Sequence, residues 1–136
     1  MAASIEKDMR TYIRTLSGVT SYIGAGGASR LYFLSAPDGS ATLPYIVYFN
    51  VAVDGERRYM GVATPQVLLQ FSVWHNHKQD GLDLANSLFD GLDGYYGTPG
   101  DKKIHYVIAM GPRIIKDPDF DNLYQYVIDA TVEYAR

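Results

Sequence analysis

The sequence predicts an α+β fold: one mostly antiparallel sheet built from two hairpins, with two helices packed on one face. Two features carry this prediction. Over residues 124–134, Tyr124, Tyr126, Ile128, Ala130, Val132 and Tyr134 alternate with Gln125, Asp129, Thr131 and Glu133, which is the mark of a strand with one buried side. Residues 5–16 and 82–92 instead repeat their apolar positions every three or four residues, as a helix lying on a core does.

Taken in order, Ser4 is placed as an N-cap, and Ile5, Met9, Tyr12, Ile13 and Leu16 form the first helical stripe, which Gly18 ends. SYIGAGGASR (21–30) reads as a loop. It has neither the Lys-Ser/Thr pair of a P-loop nor a G-x-G-x-x-G turn between strand and helix. A short strand, Leu31–Leu34, leads into the turn-rich APDGSATLP. The strand Tyr45–Val53 is apolar at every odd position and at most even ones, so both of its faces call for cover. Two helices cover one face of a sheet, and the other face needs help from elsewhere. The strand Gln66–His75 points Val67, Leu69, Phe71 and Val73 to one side. The second helix, Leu82–Leu92, has its stripe at Leu84, Ala85, Leu88, Phe89 and Leu92. After the loop GYYGTPGDKK comes a closing hairpin, Ile104–Ile115 and Leu123–Tyr134, around KDPDFDN. Gly111-Pro112 implies a bulge or a sheet edge in the first of these strands.

The totals exclude several classes. A chain of 136 residues is read as a single domain, 1–136, large enough for one ordinary core. With no cysteine there is no disulfide framework, thiolate metal site or thiol nucleophile. A formal charge of −3 argues against a globally basic nucleic-acid binder. The amino terminus has scattered charges and is not expected to be a signal peptide. No window reaches the ~18 consecutive apolar residues of a membrane span. Twelve tyrosines suit both half-buried strands and surfaces that partners bury.

Catalytic and cofactor signatures are lacking. His75 and His77 sit two apart at a strand end and His105 begins another strand, without carboxylate spacing to reinforce a metal site. Asp117–Asp121 (DPDFD) lacks the glycine and distal glutamate of a calcium loop and reads as a turn. There is no G-x-S-x-G elbow. The expectation is no enzyme, no cofactor and no metal.

The connection DGERRYMGVATP (54–65) is far longer than the two to five residues a hairpin takes. It carries Glu56, Arg57, Arg58, Tyr59 and Met60. Adjacent arginines are at home as solvated loop charges, but Arg, Tyr and Met together are what protein interfaces enrich. Tyr95 and Tyr96 form a second candidate contact.

Several stretches together resemble the tail-terminator or tail-completion (head-tail joining) proteins of long-tailed bacteriophages, across nearly the whole chain. They are a first helix ending near L-x-G-V, the glycine-rich loop, "LPYIVYF", "QVLLQFSVWHNHKQDGLDLANSLFDGLDG" and the closing "QYVIDATVEY". The resemblance rests on Pro44-Tyr45 opening a strand, Val73-Trp74 closing one, and Ala85, Leu88 and Leu92 leading to Leu92-Asp93-Gly94. It implies a virion protein, assembled in the host cytoplasm, that forms a ring, usually a hexamer. Such a ring caps the head-proximal end of the tail tube and joins the head-completion (connector) protein. The implied partners are further copies of the chain, the tail tube protein and the connector. Arg57 and Arg58 would add only transient, non-specific contact with DNA in the channel. The family has no catalytic residues. Gly24–Gly27 and the long arginine-bearing connection depart from its pattern. The alternative from another class is a small ligand-binding or regulatory module with an aromatic-lined pocket.

Overall fold

The computed structural model describes residues 5–24, 30–33, 43–52, 57–59, 62–116 and 123–135, with 52, 57–59, 62–64 and 116 as backbone. In chain order the elements are α1 (Ile5–Ile13), α2 (Ser17–Ile23), β1 (Leu31–Phe33), β2 (Tyr45–Ala52), β3 (Arg57–Tyr59), β4 (Val62–Thr64), β5 (Gln66–His75), α3 (Lys78–Leu92), β6 (Ile104–Lys116) and β7 (Tyr124–Tyr134). Five strands make one sheet in the order β1-β2-β5-β7-β6, and β3 and β4 make a separate two-stranded ribbon. Every neighbour pair in the main sheet is antiparallel except β1 with β2. The sheet is therefore mixed, and the fold is α+β with three helices among the described residues.

Two expectations are corrected. Gly18 does not end the helical region. It lies inside α2, whose Val19 and Ile23 are four apart and both buried. The helical stretch ends instead at Gly24, where φ is 91° and the N–H donates to the Thr20 carbonyl. The third helix starts at Lys78, ahead of the expected Leu82, and takes in Gly81. The packing at Gly81 shows why a glycine stands within a helix. At Gly81 an added Cβ would lie 2.5 Å from Cε2 of Tyr126 and 3.0 Å from Cβ of His75, so the helix approaches the sheet where only glycine fits. Gly111-Pro112, in contrast, sits as expected on an edge strand and at a register shift of β6 against β7.

The register assigns the faces. Ile46 and Tyr48 of β2 stand opposite Val73 and Phe71 of β5, which in turn face Tyr126 and Ile128 of β7. Leu69 and Val67 face Ala130 and Val132, and these face Ala109 and Val107 of β6. All are buried, together with Met9, Ile13, Leu84, Leu88 and Leu92 from the helices. The core is thus one layer between the helices and one side of the sheet. Tyr48 stacks on Phe71 at 5.4 Å between ring centroids. Two buried phenols also tie sheet to helix: Tyr126 donates to the Lys78 carbonyl at 2.6 Å and Tyr48 to the Glu6 carbonyl at 3.1 Å. Asp8, only 1 % exposed, accepts backbone N–H bonds from Lys102 (2.8 Å) and Asp101 (3.3 Å), which fixes the loop before β6 onto α1.

Replacing Gly81 by Ala should lower the melting temperature. The helix-propensity gain of about 1 kcal/mol is outweighed by overpacking of roughly 1–3 kcal/mol against a Tyr126 ring already fixed by its own hydrogen bond. Burial is also the largest influence on the Tyr48 hydroxyl, pushing it up to about 12. A group protonated more tightly when folded stabilises the fold below its unfolded value near 10. That contribution is lost as pH rises from about 10 to about 12. Thermal melts across that window should fall less steeply for Tyr48→Phe than for the wild type.

Candidate functional site

No helix lies on the second face of the sheet among the described residues. Its outward positions are Tyr45, Val47 and Phe49 on β2, Leu68, Gln70, Ser72 and Trp74 on β5, Gln125, Val127, Asp129 and Thr131 on β7, and Ile108, Met110, Arg113 and Ile115 on β6. The two inner strands carry most of the polar groups, and these satisfy one another. Gln70 donates to Asp129 at 3.3 Å, Arg113 to the other oxygen of Asp129 at 3.2 Å, and Gln125 to Ser72 at 3.1 Å. Near the end of the strip Gln66 donates to the Tyr106 hydroxyl at 2.7 Å and to Glu133 at 3.2 Å. No described buried side-chain polar atom lacks a partner.

The flanks of that strip are apolar. On the β1–β2 side Tyr32, Tyr45 and Trp74 form a chain of ring contacts at 6.2 and 6.4 Å, continued along β2 by Val47, Phe49 and the exposed Val51. Burial, and then the neighbouring Tyr32, pushes the Tyr45 phenol up. On the β6 side Ile108 is 54 % and Met110 68 % exposed. Soluble domains seldom present β-branched and Met side chains to water in such a row.

The outer edge of β6 is already occupied. Ile104 and Gly97 exchange backbone hydrogen bonds of 2.7 and 3.1 Å, the Gly94 N–H donates to the Val107 carbonyl, and Asp93 Oδ1 accepts the Ala109 N–H at 3.1 Å. Beyond them Gly111, at φ 112°, and Pro112, which has no N–H, interrupt the edge.

Of the residues singled out in the sequence, Arg57, Arg58 and Tyr59 form β3. They pair with Thr64, Ala63 and Val62 of β4, so much of the long connection is a ribbon of its own. Glu56 and Met60 lie outside the described residues, as do Ser4, most of the glycine-rich loop and Asp117–Asp121. Tyr95 and Tyr96 have different environments. Tyr95 is half-buried and stacks on Tyr12 at 3.6 Å, while Tyr96 is 78 % exposed. The three histidines do not converge. His75 is paired with Tyr124 at one end of β7, whereas His105 lies 3.8 Å from Glu133 at the other. His75 is buried, and its Nδ1 accepts the His77 N–H at 3.1 Å. Among the described residues no group of three His, Cys, Asp or Glu is placed to hold a metal ion. The polar strip and the sealed edge escaped sequence reasoning because both depend on cross-strand register. The alternation of β7, broken at Val127, was their visible trace.

Asp93→Ala should leave the fold intact yet raise amide exchange at Ala109 by roughly ten-fold or more, as expected when a charge-assisted bond is lost. Unchanged exchange there would mean that Asp93 does not guard the edge.

No protein-family model matches the chain, and neither does any curated protein sequence. Among solved structures, the fold corresponds to that of a chain in the virion of a native gene transfer agent particle. The two share a TM-score of 0.71 and 11 % sequence identity, over 93 % of this chain and 90 % of that one.

Proposed function

We propose that the chain is a structural virion protein. Copies form a ring, a hexamer by analogy with tail terminators, that caps the head-proximal end of a phage tail tube, stops its elongation and receives the head-completion protein. The observation that carries this reading is the near end-to-end correspondence of fold with a chain of a virion particle. Low identity with a retained fold is what an assembly part tolerates, because its function lies in shape and surface rather than in a fixed catalytic set.

Two features of the chain support the reading. The second face of its sheet has apolar flanks that gain from cover by other copies. Its ribbon carries Arg57, Arg58 and Tyr59 on a two-stranded support, a form suited to reaching a neighbouring ring. Contacts repeated around a ring add up even when each is weak. The same arginines would touch passing DNA only through its phosphates.

Deleting residues 55–61 removes β3 but should leave the melting of the five-stranded sheet and its helices intact while heads and tails fail to join. Arg57→Glu combined with Arg58→Glu should weaken joining in the same direction with no loss of stability. Infectious particles at normal yield from the deletion would remove the ribbon from this function.

A further inference from the structure

The large apolar side chains left in water are not scattered over the molecule. Among the described residues, Ile108, Met110 and Ile115 lie on the outward face of β6, Ile114 lies on the same strand opposite Tyr126 on the helix side, and Tyr96 lies in the loop that covers the edge. Val51 lies on β2, at the opposite side of the sheet, while Phe33 on β1 packs against Tyr48 on the helix side. None lies on β5 or β7, whose outward polar groups are largely hydrogen-bonded to one another. Each molecule therefore has two apolar flanks separated by a strip whose polar groups are hydrogen-bonded to one another.

From this segregation we infer that copies of the chain associate head to tail, the β6 flank of one copy (Ile108, Met110, Ile115) packing on the β1–β2 flank of the next (Tyr32, Phe49, Val51). The inference rests on the self-assembling role proposed above and specifies the surface it uses. The flanks are unlike. One holds flat rings and β-branched side chains, and the other an adaptable Met between isoleucines, a combination that packs without preformed complementarity. The flanks lie at opposite sides of one sheet, so they meet only between molecules. Pairing β6 with β6 about a two-fold axis would leave the aromatic flank in water in both copies. Joining unlike flanks covers both and propagates, closing into a ring when the rotation allows.

Size agrees with this. Exposures of 43–68 % on Ile108, Met110 and Ile115 amount to roughly 300 Å² of surface, a substantial share of the about 800 Å² that each partner gives to a stable interface. The contact is made by side chains, because the β6 edge is paired by Gly94, Gly97 and Asp93 as far as Ala109 and interrupted beyond it by Gly111 and Pro112.

The chain has no cysteine, so introduced thiols would be its only ones. We expect Val51→Cys and Met110→Cys proteins, each inert to oxidation alone, to form a disulfide-linked dimer when mixed. The double variant should give a ladder of higher multimers. Met110→Asp should reduce assembly with melting unchanged, since the residue is 68 % exposed. Dimers from Met110→Cys alone would show like-with-like pairing and overturn the inference. Rings in electron micrographs without the mixed cross-link would overturn this contact and leave the ring reading standing. Absence of any assembly, alone or with tail tube protein, would overturn both.

Discussion

The structure depends on an asymmetry of cover. A five-stranded sheet has two sides, and all of the fully buried helical side chains, from Met9 on α1 to Leu92 on α3, fill one of them. That side is packed as a protein interior is, with aromatic rings stacked and phenols tied to helix carbonyls. The other side has no such layer among the described residues. It is instead organised into a self-bonded polar strip with apolar margins. The chain contains more strand-forming apolar residues than one helical layer can hide, and β2, apolar on both of its sides, shows this most clearly.

Much of this was legible in the sequence. The limits of β5, Gln66–His75, and nearly those of β7 follow from period-two alternation, because a strand with one buried side must alternate. The need for extra cover was readable from Tyr45 to Val53 for the same reason, through the absence of alternation. What escaped is physically different in kind. Gly18 and Gly81 carry no local sign that they lie within helices, and the reason for a glycine at 81, the close approach of Tyr126, comes from a remote part of the chain. The parallel pairing of β1 and the central position of β7 are matters of topology, which local pattern does not encode.

The candidate site follows the same division. The unusual length of the 54–65 connection was visible, and its backbone forms a ribbon. Equal roles for Tyr95 and Tyr96 were not separable by sequence, because the stacking of Tyr95 on Tyr12 joins residues far apart in the chain. No sequence pattern singled out Asp8 or Asp93 for a bonding role. Asp8 is a buried anchor for two backbone amides, and Asp93 closes an exposed strand amide. Side-chain-to-backbone bonds of this sort leave no periodic trace.

The occupied border of β6 has a consequence for how copies can add to one another. Main-chain pairing at a free border has no natural end, since each added strand presents a fresh border identical to the last. Where a loop and a carboxylate already take those amides and carbonyls, that endless route is shut for the first half of the longest strand. Any contact made on that part of the border is left to side chains, whose contours, unlike a repeating ladder of amides, are particular to one place and one orientation.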